Sequence, residues 1–162
     1  MVENLQQEKK MNEELQLVIF RLAKEEYGLP IAKVHEINRL TPITKLPQTP
    51  EFMEGVTNLR GKIIPVFDLR KRFQLSTIEN SDDTRIIIVA VKEQVVGIIV
   101  DAVHEVIKLP ASAVEPPPPA FVLDAQYIHG VGKMDTRLII LLDMDKVLSG
   151  PEEILLQGMA CQ

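Results

Sequence analysis

The chain is poor in the residues that carry most familiar chemistry. One cysteine, Cys161, is present in 162 residues, so a disulfide framework is excluded and a reducing compartment is the expectation. No apolar run approaches the ~20 residues that span a bilayer, and the opening MVENLQQEKK lacks the apolar stretch of a signal peptide. A cytoplasmic protein with no direct membrane insertion follows as the expectation. Basic residues are outnumbered, 18 Lys and Arg against 23 Asp and Glu, for a net charge of −5. Nucleic acid is disfavoured as a partner, because phosphate binding needs clustered cations. Three histidines stand in no C-x-x-C or H-x-x-x-H setting, so no metal site or cofactor is expected.

What is present is a set of short apolar runs: LVIF (17–20), IIPVF (63–67), RIIIVAV (85–91), VVGIIV (95–100) and RLIILL (137–142). Their length and β-branched content predict strands. A parallel α/β sheet would suit runs that are apolar on both faces. Only Lys92, Glu93 and Gln94 separate two of the runs, however, and a parallel crossover needs a dozen or more residues. These two strands form a hairpin, and the sheet is mainly antiparallel. In TPEFMEG, Thr49 as N-cap, Pro50 as first residue and Gly55 past the end predict a short helix over 50–54. Further short helices are expected at 146–148 and in PEEILLQ (151–157), within a C-terminal tail at 150–162. Residues 1–13 read as a flexible leader.

The chain is internally repetitive. A shift of 69 residues lays Leu17–Phe20 on Ile86–Val89, Gly28 on Gly97, and Val34-His35-Glu36-Ile37 on Val103-His104-Glu105-Val106. After the prolines at 116–119 the shift becomes 75 and lays Gly55 on Gly130 and Val66-Phe67-Asp68-Leu69 on Leu141-Leu142-Asp143-Met144. Two copies of one β unit result, about 14–75 and 84–149, each a small closed or half-closed barrel of about five strands. RIIIVAV is apolar on both faces, so its outer face needs cover from the other lobe, a terminal segment or a partner.

Candidate chemistry is thin. GVTNLRGKI (55–63) fails as a phosphate loop: its glycines are one residue too far apart, Ile63 replaces the required Ser or Thr, and no helix follows. His35 and His104 occupy equivalent repeat positions, which favours structural or surface roles. Asp68 and Asp143 read as turn caps. Glu36 and Arg60 read either as a surface ion pair worth ~0–1 kcal/mol or as a pair shaping a binding surface. The proline run reads as a stiff loop. With no nucleophile or acid–base constellation, no catalytic residue is assigned and an enzyme is not expected.

The run GVTNLRGKIIPVFDLR (55–70) resembles the signature of the CheW family, the chemotaxis coupling proteins that link receptors to the histidine kinase CheA. VVGIIVDAVHEVIKLP (95–110) and YIHGVGKMDTRLIILLDMDKVL (127–148) are similar to the same family, so the resemblance covers 14–149. It implies an all-β fold of two SH3-like five-stranded barrels around a shared core, with no catalytic activity. The same module occurs in CheA and CheV beside other domains, and this chain is expected to be the free-standing form, a monomer when free and recruited to membrane-bound receptor arrays. A groove holding the cytoplasmic tip of chemoreceptors would involve Val18, Ile31, Val34, Glu36, Arg60 and Val103. The regulatory domain of CheA would dock on the stretch 43–59, with Ile43, Thr44, Leu46, Gly55, Asn58 and Leu59. Phe121 would serve a second kinase contact. The alternative is a scaffold of the same fold for a different kinase-linked pathway.

Overall fold

The computed structural model describes residues 14–75, 79–117 and 127–148. Phe121, Cys161, the leader 1–13 and the expected helix at 151–157 lie outside them. The described residues form eleven strands in order: β1 (Glu14–Leu22), β2 (Glu25–Pro30), β3 (Val34–Arg39), β4 (Met53–Leu59), β5 (Lys62–Asp68), β6 (Arg85–Val91), β7 (Gln94–Val100), β8 (Ala102–Pro110), β9 (Val114–Glu115), β10 (Ile128–Met134) and β11 (Arg137–Leu142). Two one-turn helices follow β5 and β11: α1 (Leu69–Arg72) and α2 (Met144–Val147). Four hairpins, β1–β2, β4–β5, β6–β7 and β10–β11, turn through two residues each. The leading residue of each turn, Ala23, Arg60, Lys92 or Asp135, has positive φ, as tight hairpins require.

The strands form two sheets, ordered β8-β1-β2-β11-β10-β9 and β3-β6-β7-β5-β4. Both are antiparallel except where β2 meets β11 and β5 meets β7. The repeat is present, but neither copy closes a sheet of its own, which corrects the expectation of a barrel within each half. Each sheet takes the first two strands of one copy and the remaining strands of the other (β8–β11 in the first sheet, β3–β5 in the second), so the halves are exchanged. Both sheets curl. In the second, Arg60 on the β4–β5 turn reaches Glu36 on β3, at the opposite edge. In the first, Gly132 of β10 leaves room for Leu109 of β8, whose Cδ2 lies 2.6 Å from where a Cβ would stand.

The apolar strands supply three cores. Leu17, Ile19, Ile107, Leu109, Ile139 and Leu141 fill the first barrel. Val66, Ile86, Ile88 and Ile99 fill the second. A larger cluster between the barrels joins Phe20, Leu22, Tyr27 and Leu29 to Ile87, Val89, Val91 and Ile98. RIIIVAV is therefore two-faced because Ile86 and Ile88 point into their own barrel while Ile87, Val89 and Val91 point into the shared core. The other lobe supplies the cover.

One polar cluster crosses this joint. The Arg70 guanidinium donates to Asp68 through Nε and Nη2 (both 3.0 Å), to Asp101 through Nη1 (2.9 Å) and to Asn80 (3.0 Å). Asp101 also accepts the Ala23 N–H at 2.7 Å. Arg70 and both aspartates are buried. Burying such ions costs several kcal/mol each, and the cost is offset only where every donor and lone pair is engaged. The cluster ties the β1–β2 turn of one sheet to α1 of the other.

The expected helix over 50–54 is absent. Met53 N–H donates to Pro50 O (3.0 Å), forming a single turn, and β4 begins at Met53. Thr49 Oγ1 donates to Leu46 O instead of capping a helix, and Gly55 lies inside the strand at φ +143°. The helix expected at 146–148 exists as α2, starting at Met144. Asp68 caps α1 by accepting the Arg70 N–H (2.9 Å), whereas Asp143 makes no such side-chain bond at α2.

Candidate functional site

The edge strands β3 and β8 are repeat equivalents, and each carries a bulge. Val34 pairs with Val89 and Glu36 with Ile88, leaving His35 as the extra residue. Val103 pairs with Phe20 and Glu105 with Ile19, leaving His104 extra. The two histidines are thus exposed bulge residues in matching positions. A bulge shifts the side-chain alternation by one. Val34 and Ile37 therefore share a face, as do Val103 and Val106, although neither pair is spaced by two.

That face borders the shared core. Val34 and Val103 are half-buried and pack against its margin. Val18 is buried, opposite Val106 on the neighbouring strand. Ile37 and Val106, 38% and 52% exposed, extend the apolar strip outward. Neither was among the residues read from sequence, although the 69-residue shift pairs them. Ile31 stands apart. It sits in the turn Ile31–Lys33, 39% exposed, and lines a cleft of about 720 Å³ at the end of the first barrel.

Glu36 and Arg60 form an ion pair, with Asn38 Nδ2 donating to the other Glu36 oxygen at 2.9 Å. The geometry comes from the β4–β5 turn, where Arg60 and Gly61 both have positive φ and Asn58 Oδ1 accepts the Gly61 N–H (2.9 Å). The hydrogen bond from Arg60, then that from Asn38, holds the Glu36 carboxyl below its ordinary range. The pair spans the barrel seam from the face of β3 opposite to Val34. The sequence-based pairing is met, and the Glu36 carboxylate is held in one orientation.

The six residues assigned to kinase docking gather around β4. Thr44 bridges Val56 through both backbone bonds, Thr44 N–H to Val56 O (2.8 Å) and Val56 N–H to Thr44 O (2.9 Å). This approach is why residue 55 is glycine: a Cβ would lie 2.1 Å from Thr44 O. Ile43 and Leu59 pack on the core of the second barrel, and Leu46 packs on the shared core. Thr44 and Asn58 are exposed. Gly55 is buried and acts through backbone shape alone. Among the described residues no group of three His, Cys, Asp or Glu side chains could hold a metal, and no helix is long and apolar enough to cross a membrane.

A family model for the CheW-like domain matches residues 16–152. The chemotaxis protein CheW of Klebsiella aerogenes is 40% identical over 146 residues, covering 90% of this chain and 88% of that protein. The chemotaxis protein CheW of Treponema pallidum is 38% identical, covering 87% and 86%. Among solved structures, the scaffolding protein TtCheW from Thermoanaerobacter tengcongensis superposes with a TM-score of 0.81 at 46% identity, over 86% of this chain and 91% of that one.

Proposed function

Because the chain belongs to the CheW family, we propose that it is a non-catalytic chemotaxis adaptor that couples the cytoplasmic tips of chemoreceptors to the histidine kinase CheA. The observation that carries the reading is the paired apolar strip at the margin of the shared core, Val34 with Ile37 on β3 and Val103 with Val106 on β8. A helical hairpin tip binds by laying apolar side chains in such a groove while rim charges set its register. The fixed Glu36–Arg60 pair fits the rim role.

The second surface is the face around β4. The bridged segment at Thr44, with Asn58 and Leu59, offers a rigid docking surface for the regulatory domain of CheA. It lies on a different strand edge from Val34, so one chain holds both partners at once. In this reading the protein is a cytoplasmic monomer when free and joins membrane-bound arrays through its receptor contact.

Co-purification tests the reading. The tagged chain should retain a receptor hairpin fragment and the CheA regulatory domain together. Retention of neither would remove the adaptor reading, and mutually exclusive retention would remove the two-surface form of it.

A further inference from the structure

The repeat lays two places in the molecule on each other. In the first, Asp68 precedes α1, Arg70 fills the space, and Asp101 holds the turn at Ala23. In the second, the same shifts put Asp143 for Asp68, Asp145 for Arg70, Ala32 for Asp101 and Lys92 for Ala23. One task is conserved by another route: Asp145 Oδ1 accepts the Lys92 N–H at 2.9 Å, as Asp101 does for Ala23. The guanidinium is not replaced. Asp68 accepts three hydrogen bonds from Arg70, one from its backbone and two from its side chain, while the Asp143 carboxylate accepts none among the described residues.

The space left differs accordingly. The filled place retains a pocket of about 240 Å³, and its counterpart is the cleft of about 720 Å³. Leu15, Leu17, Leu29 and Met144 give the cleft an apolar wall, Glu14, Lys108, His129 and Asp145 also line it, and Asp143 stands at the position of the missing ion pair. Lys33 stands at its rim, 3.9 Å from Asp145 and about half exposed. A half-buried carboxylate with no hydrogen-bond partner among the described residues, beside an apolar wall, favours a cation that brings apolar surface with it. The planar guanidinium fork meets a carboxylate in the way Arg70 meets Asp68, which an ammonium cannot reproduce.

We propose that this cleft receives an arginine side chain displayed on an apolar segment of a protein partner, seated against Asp143 as Arg70 is seated against Asp68. The proposal stands on the repeat and the side chains, and it is independent of the adaptor reading.

The test uses the full chain, isotope-labelled, titrated with acetyl-Leu-Arg-Leu-amide and followed by NMR. Saturable shifts at Ala32, His129 and Met144 at millimolar peptide are expected. Norleucine in place of the arginine, or Asp143→Asn in the protein, should each weaken binding about tenfold. Asp145→Arg with Ala32→Asp rebuilds the filled arrangement and should abolish the shifts while raising the melting temperature. If that double variant fails to fold, Asp143→Asn alone decides. Equal binding of the norleucine peptide, no loss in Asp143→Asn, or free arginine binding as tightly as the peptide would overturn the proposal. So would binding that appears only after Lys9 and Lys10 are changed to alanine, since the cleft would then belong to the chain's own leader.

Discussion

Replacing Val34 with Asp separates the two proposed surfaces. Val34 is half-buried, pairs with the fully buried Val89 and touches only the margin of the shared core. Burying a whole valine is worth about 1.5–3 kcal/mol, so losing half of that costs folding about 1 kcal/mol. The new carboxylate stays partly in water in the free protein. On receptor binding the strip is desolvated, and an unpaired carboxylate there costs roughly 3 kcal/mol or more. A micromolar complex is held by only about 8 kcal/mol, so affinity for the receptor tip should fall at least a hundredfold. The Thr44–Val56 bridge does not involve Val34, and affinity for the CheA regulatory domain should stay within about twofold of wild type. Calorimetric titrations with receptor fragment and kinase domain, with circular dichroism as the folding control, measure both. Equal loss of the two affinities in a folded variant would refute the separation of surfaces.

Other perturbations probe the frame that holds these surfaces. Arg70→Met strands two buried carboxylates, so the melting temperature should drop on the order of 10 °C, and adding Asp68→Asn and Asp101→Asn should recover part of it. Gly55→Ala drives a methyl into Thr44 O and should lower both the melting temperature and kinase-domain affinity; Gly61→Ala meets no atom within 4 Å but sits at φ +86°, so backbone strain alone should lower the melting temperature by less. Glu36 has a depressed carboxyl pKa in the folded protein, so its contribution is present above the ordinary carboxylate value and is lost as pH falls through the folded one. NMR titration of Arg60→Ala should show the Glu36 pKa rising toward that ordinary value.

The repeat, the hairpin at Lys92–Gln94 and the two-faced strand RIIIVAV were legible from residues alone because each is a local pattern. The exchange of halves was not. Local spacing identifies β6 with β7, but no local signal says that β3 pairs with β6. The helix misread at 50–54 followed genuine capping signals; the structure instead alternates buried Met53, Gly55 and Thr57 with half-buried or exposed neighbours, a pattern that MEGVTNL, with Val56 on the outer side, does not display. Val34 and Val103 came from the family resemblance, and the repeat makes them equivalents. Ile37 and Val106 were missed because the bulges at His35 and His104 break the period of two. Arg70 sits inside the signature run, but its role depends on Asp101, 31 residues away, and nothing in the spacing discloses that contact.

The central claim is that one chain bridges receptor and kinase without chemistry of its own. It is tested most directly by CheA autophosphorylation in a mixture of receptor-containing membranes and kinase, with and without this protein. The account predicts that phosphorylation rises severalfold when the chain is added, that Val34→Asp abolishes the rise, and that the chain itself takes up no phosphate. An unchanged rate with receptor and kinase both present, or phosphate on the chain, would contradict it.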